Sequence, residues 1–189
     1  MAPTRTFVAI ALPALLRGAI AALASQGRRS APPGLRWANA AQAHLTLAFL
    51  GDLGDDALER VRASVRRVAR SGAPFACSLR GAGAFPRADA ARVLWLGWGD
   101  GVDEVTTLHA ALRDALAEVG FEPEARRFHP HVTLARARAP LDLRALVDDL
   151  AAWRSEPWTV SALDVMASRL GRGGAEHVRL ERCVLAHER

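Results

Sequence analysis

The chain has 189 residues, half of them apolar, and a formal net charge of +5 in which every basic residue is arginine. Such a length suits one domain, or two small lobes sharing a core, with ample apolar material for a packed interior. No apolar run is long enough to cross a membrane, and a basic surface favours polyanionic partners without naming one.

The N-terminal residues Met1 to Ile10 enter a strand almost at once and carry no signal-peptide cleavage pattern, so a cytoplasmic location is the default expectation. The strand runs from Arg5 to Leu12. Pro13 opens a helix with Leu16, Ala19, Ile20 and Leu23 at helical spacing, ending near Gly27. Arg28 to Gly34 is a polar, proline-bearing loop, and a second strand covers about His44 to Leu50. Asp55 and Asp56 cap a helix with Leu58, Val61, Val65 and Val68 on one face, stopped by Ser71-Gly72. Phe75 to Leu79 reads as a strand that Gly81-Ala82-Gly83 interrupts or bulges.

The order then repeats. Arg92 to Trp98 is a strand, and a helix spans roughly Val102 to Val119, with Gly120 as its C-terminal stop. A strand around His131 follows, then a helix capped by Asp142 and carrying Leu143, Leu146, Val147 and Leu150. Strands from Trp158 to Val165 and from His177 to Leu185 close the chain. Each half, about 1–90 and 91–189, reads strand, helix, strand, helix, strand, and the last strand of the chain follows the second set. The expectation is one α+β unit of two pseudo-symmetric lobes, each an antiparallel sheet with helices outside, and a cleft between them.

The strands at equivalent places in the halves share a motif. Ala43-His44-Leu45-Thr46-Leu47-Ala48-Phe49 and Phe128-His129-Pro130-His131-Val132-Thr133-Leu134-Ala135-Arg136 both contain His-x-Thr-Leu-Ala. Strand residues i and i+2 share a face at a spacing of roughly 6.5 Å. Each run therefore presents one imidazole and one hydroxyl together, while Leu45 and Leu47, or Val132 and Leu134, face a core. Two such strands on one cleft outline a phosphate-handling site. No Gly-rich phosphate loop of the nucleotide-triphosphate type accompanies them, and no cluster at metal-ligand spacing. Cys77 and Cys183 sit in strand-like runs and read as buried free thiols.

At these motifs the chain resembles the two-histidine phosphoesterases, specifically the RNA 2′,3′-cyclic phosphodiesterases also called 2′-5′ RNA ligases. The likeness runs nearly end to end. It takes in Phe7 to Pro13, Arg36-Trp37, His44 to Gly51, Gly83-Ala84-Phe85-Pro86, Arg92 to Trp95, Phe128 to Arg136 and Ser168-Arg169-Leu170. Departures are Ala40-Ala41, where relatives often carry prolines, and His177, where an aromatic is usual; neither is expected to touch catalysis.

The resemblance implies opening of a 2′,3′-cyclic phosphate at an RNA 3′ end without metal or other cofactor, leaving a 2′-phosphate, with 2′-5′ joining as the reverse reaction. It assigns His44 as general acid and His131 as general base. Imidazole, with an ordinary pKa of about 6.5, can do either near neutrality. Thr46 and Thr133 are placed to hydrogen-bond the non-bridging oxygens, where charge builds; their bland alternative is strand propensity. Family members use the place five residues after each histidine for the base and the phosphate, here Phe49 and Arg136. Strict alternation would send an i+5 side chain to the opposite face, so a twist or bulge is required. His129 reads as a strand-entry residue, His109, His177 and His187 as surface or core, and Trp37, Trp95 and Trp98 as core or rim, with Trp37 able to flank the cleft.

The implied partner is RNA with a cyclic phosphate end, tRNA halves included, bound by a monomer. Two alternatives stand beside it: a cyclic phosphodiesterase acting on small nucleotides or ADP-ribose cyclic phosphate, and an RNA-end binding protein without turnover. The two intact histidines speak against the last, since binding alone needs no proton-transfer groups.

Overall fold

The computed structural model describes residues 3–122, 127–171 and 174–186. The fold is α+β, with ten strands and four helices among the described residues. In chain order they are β1 (Thr4–Ala11), α1 (Ala14–Gly27), β2 (Leu35–Trp37), β3 (His44–Leu53), α2 (Asp55–Ser71), β4 (Phe75–Cys77), β5 (Leu79–Phe85), β6 (Ala91–Trp98), α3 (Val102–Ala117), β7 (His131–Leu141), α4 (Arg144–Asp149), β8 (Trp158–Val160), β9 (Ala162–Gly171) and β10 (Gly174–Val184).

The helices follow their apolar spacing. In α2, Leu58, Val61, Val65 and Val68 are buried on one face, Asp55 and Asp56 lie in the first turn, and Arg70 lies in the last. That charge order matches the helix dipole, positive at the N-terminus. In α3 the buried set is Val105, Leu108, Leu112, Ala115 and Leu116, and Gly120 ends the turn beyond it with φ 90°. α2 and α3 pack on each other, with α2 behind β9 and β10 and α3 behind β3; α4 packs on β5. No helix among the described residues is long and apolar enough to cross a membrane.

The main sheet is antiparallel throughout, in the order β10-β9-β1-β3-β7-β6-β5, with β2 also paired to β7. The two sheets expected are thus joined. The join is slender: β3 and β7 share the single register pair Leu45–Val132. With β10 set aside, the strand order reads the same from both ends, β9 answering β5, β1 answering β6 and β3 answering β7.

The lobes are not the halves of the chain. β5 joins the sheet of β6 and β7, while β9 and β10 lie beside β1. The crossing happens at two single-residue breaks. Ser78 separates β4 from β5, and Ser161 separates β8 from β9. Before each break the chain belongs to a two-stranded sheet, β4 with β8, and after it to the main sheet. The strand expected over Trp158 to Val165 is therefore two strands in different sheets, and Phe75 to Leu79 divides in the same way. β2 and the short 3₁₀ turns at Ala40–Gln42 and Ala88–Ala90 carry no periodic signal and were not anticipated. The glycines of β5 bring a register shift between Leu79 and Ala82, and the strand continues through it.

Cys77 and Cys183 are free and buried, as expected, and burial pushes their thiols up to about 12 and about 11. His187 lies outside the described residues.

Candidate active site

β3 and β7 begin at the two motif histidines. Leu45 and Val132, the one pair joining the strands, are 1% and 0% exposed, so the flanking residues turn to the opposite, open face. His44 and Thr46 leave that face from one strand, His131 and Thr133 from the other, all half-buried. The join brings the motifs within electrostatic reach, since the charges of His131 and Arg136 both act on His44.

The two imidazoles are held in the same way. His44 Nδ1 lies 2.7 Å from the carbonyl oxygen of Gln42, and His131 Nδ1 lies 2.7 Å from that of His129. A carbonyl only accepts, so each Nδ1 carries the proton and donates it. That leaves Nε2 of each ring as the atom that exchanges protons: a lone pair when neutral, an N–H when charged. Burial lowers the pKa of both rings below the ordinary 6.5, and the carbonyl bond offsets part of this. His177, Arg136 and His131 lower His44 further, and His129 and Arg136 lower His131.

The bulge that the i+5 positions required is present, twice. Along β1, Val8 and Ala9 face Ala48 and Thr46, skipping Leu47. Along β6, Leu94 and Trp95 face Ala135 and Thr133, skipping Leu134. An extra residue reverses the alternation beyond it. Phe49 and Arg136 thereby return to the face of their histidines. Arg136 Nη2 lies 3.4 Å from the Thr133 hydroxyl, a long donation that links the two. Phe49 is 68% exposed, with its ring 6.1 Å from Phe7, whose own ring stands 5.0 Å from His44.

Each imidazole is packed by rings, and the rings differ. Around His44 are Phe7 at 5.0 Å and His177 at 5.2 Å, the latter edge-on at 89°. Around His131 are Phe85 at 5.0 Å and Trp95 at 6.0 Å. Trp95 is thus part of the site's support rather than general core, and Gly83 makes room for it: a Cβ there would collide with the indole. Trp37 turns away from the cleft, its indole lying where a Cβ on Gly27 of α1 would stand. Trp98 is buried against Trp158, and His109 stacks on Phe128 at 3.8 Å. His129 supplies the carbonyl for His131 and packs its ring on Trp95 at 4.7 Å, more than a strand entry.

His177 is the neighbour that sequence reasoning missed. The β9–β10 ladder pairs it with Ser168 and brings its ring to Phe7 and His44. Its Nδ1 is buried with no hydrogen-bond partner among the described residues, and burial lowers its pKa. Nothing local in the sequence marks it, because the contact depends on how a hairpin lies across two other strands.

A pair of imidazoles on one open face of the sheet, with exchangeable Nε2 atoms and flanked by two hydroxyls and the Arg136 guanidinium, defines a two-histidine α+β protein suited to in-line chemistry at a phosphate. Residues 13–172 match the model of the 2'-5' RNA ligase superfamily, and the chain belongs to that family. It is 41% identical over 106 residues to an RNA 2',3'-cyclic phosphodiesterase of Aeropyrum pernix, a stretch covering 55% of this chain and 58% of that protein. A Methanothermobacter thermautotrophicus protein of the same name is 31% identical over 180 residues, 94% of this chain and 96% of that one. The crystal structure of E. coli LigT complexed with 3'-AMP shares the fold with a TM-score of 0.76 at 29% identity, covering 97% of this chain and 98% of that one.

Proposed function

We propose that this protein opens the 2′,3′-cyclic phosphate at RNA 3′ ends, leaving a 2′-phosphate and a free 3′-hydroxyl. One observation carries the reading: two imidazoles, each with Nδ1 tied to the carbonyl two residues before it, on strands joined at Leu45–Val132. The family, the curated names of its members and the nucleotide held by the E. coli relative support the substrate class.

His131 Nε2 takes a proton from water as its oxygen attacks phosphorus. The P–O3′ bond breaks, and His44 Nε2 gives its proton to O3′. The water oxygen stays on phosphorus, and solvent exchange resets the two rings. Thr46, Thr133 and Arg136 bind the non-bridging oxygens, where donors contribute most as charge redistributes in the transition state. Phe49 offers its exposed face to the terminal base. With the 5′-hydroxyl of a second RNA end in place of water, the same pair forms a 2′-5′ linkage: His131 takes the hydroxyl proton, the P–O3′ bond breaks, and His44 protonates O3′.

The unit is residues 1–189, one bilobal domain built from two copies of a single motif-bearing half. The matching register, bulge position and serine breaks support that view. Because one chain supplies both motifs, a cytoplasmic monomer acting on broken RNA, tRNA halves included, completes the proposal.

The test is an RNA with a 2′,3′-cyclic end, incubated with the protein in EDTA without nucleotide triphosphate. A 2′-phosphate product is expected, since the chain supplies both proton-transfer groups itself. A 3′-phosphate product, or turnover restored by one divalent ion, would refute the mechanism; tight binding without turnover would favour an RNA-end binding protein.

A further inference from the structure

β2 is only three residues long, and its middle residue, Arg36, lies directly across the ladder from Arg136. Side chains directly opposite in an antiparallel pair leave the same face, with Cβ atoms about 4.5–5.5 Å apart, and like charges there destabilise it. The face is the cleft face, because Arg136 reaches the Thr133 hydroxyl. Trp37, the next residue, goes to the other face against Gly27.

Both arginines are exposed, and neither has a carboxylate partner among the described residues. Several other arginines are paired with acids, Arg66 with Glu59 and Glu181, Arg144 with Asp142, Arg87 with Asp89, while Arg17 and Arg92 donate to backbone carbonyls. Beside β2 lies a hollow of about 440 Å³, lined by Arg28, Pro32, Gly34, Arg36 and Trp37 among others. Arg28 too has no acid partner among the described residues. A cleft-side pair of unneutralised guanidinium groups, next to an open hollow with a third, is an arrangement that an anion would stabilise.

A free cyclic mononucleotide brings one phosphate, and Arg136 with the two threonines meets it. Arg36 then has nothing to hold until the substrate carries a second phosphate. Resting on the function proposed above, we infer that Arg36 binds the phosphodiester on the 5′ side of the cyclised nucleotide, so that the site takes a polynucleotide end in preference to a mononucleotide.

The experiment compares adenosine 2′,3′-cyclic phosphate with the adenosine dinucleotide ending in the same cyclic phosphate, using the full chain and its Arg36→Ala and Arg36→Lys variants. Wild type should prefer the dinucleotide. A charge-assisted hydrogen bond is worth about tenfold in affinity, so Arg36→Ala should lower kcat/KM on the dinucleotide by about that factor, through KM. Turnover of the mononucleotide should stay as in wild type, and Arg36→Lys should recover part of the loss, keeping the charge without the planar fork. The salt dependence of dinucleotide binding should flatten by about 0.7 in log–log slope, one single-strand phosphate contact. Arg36→Ala should also melt no lower than wild type, since it relieves a like-charge pair. Equal losses on both substrates, or none on the dinucleotide, would overturn the subsite while leaving the activity standing. A wild-type protein that opens neither substrate would remove the activity, and the subsite with it.

Discussion

The surroundings of His44 and His131 differ far more than their backbones. Both rings donate Nδ1–H to the carbonyl two residues earlier, both precede a buried partner in the Leu45–Val132 pair, and both strands bulge at the leucine that follows the motif threonine. The packing does not repeat: Phe7 and His177 surround one ring, Phe85, Trp95 and His129 the other. At the i+5 place one strand carries an exposed aromatic and the other a cation. On the proposed mechanism the backbone sets proton geometry, which both proton transfers need alike, and the side chains set substrate contacts, which differ on the two sides of one phosphate.

Replacing either histidine should break the equivalence most severely. His44→Ala and His131→Ala should each lower cyclic-phosphate hydrolysis by about 10²–10⁴-fold, the usual worth of a positioned acid or base. Circular dichroism should show the fold unchanged. Near-full activity in either variant would mean that one imidazole suffices.

The i+5 pair should separate chemistry from anchoring. Arg136→Ala should lower kcat as well as raise KM, and Arg136→Lys should restore it only in part, because lysine cannot reproduce the bidentate fork. Phe49→Ala should act mainly on KM, by up to the roughly 1–3 kcal/mol that base stacking provides. Steady-state kinetics on one RNA substrate checks both. Normal turnover with a lower melting temperature in the two alanine variants would place these residues in structure alone.

The rings around the histidines should tune their titration. Burial holds His44 and His131 below the ordinary imidazole value, so kcat/KM should trace a bell centred on the acid side of neutrality. Its two apparent pKa values belong to the pair. His177→Phe keeps a ring on Phe7 and removes a charge that lowers His44, while Arg136, His131 and the Gln42 carbonyl stay in place. One limb of the bell should then move to higher pH. An unmoved profile would show that His177 packs on His44 without acting on its proton.

Stability should register the same shifts, more gently. His44, His131 and His177 all bind protons less readily folded than unfolded. Between their folded and unfolded values the unfolded chain holds more protons, and stability then rises with pH. It should be full above about pH 6.5, the unfolded value, and decline as pH falls through the imidazole range. Chemical denaturation at several pH values measures this, and a flat profile from neutral to mildly acid conditions would contradict the burial of the three rings.

The periodic segments were legible in the sequence, because each states its own burial: Leu58, Val61, Val65 and Val68 on one helix face, Leu45 and Leu47 alternating with His44 and Thr46. Both motifs, and the need for a bulge before Phe49 and Arg136, follow from a side-chain period of two. What only the tertiary structure decided are contacts between segments distant in the chain. The single-residue breaks at Ser78 and Ser161 send strands into the opposite lobe, the β9–β10 hairpin lays His177 against His44, and the pairing of β2 with β7 sets Arg36 beside Arg136. Local periodicity encodes which face of an element is apolar. It does not encode which other element that face, or that edge, will meet.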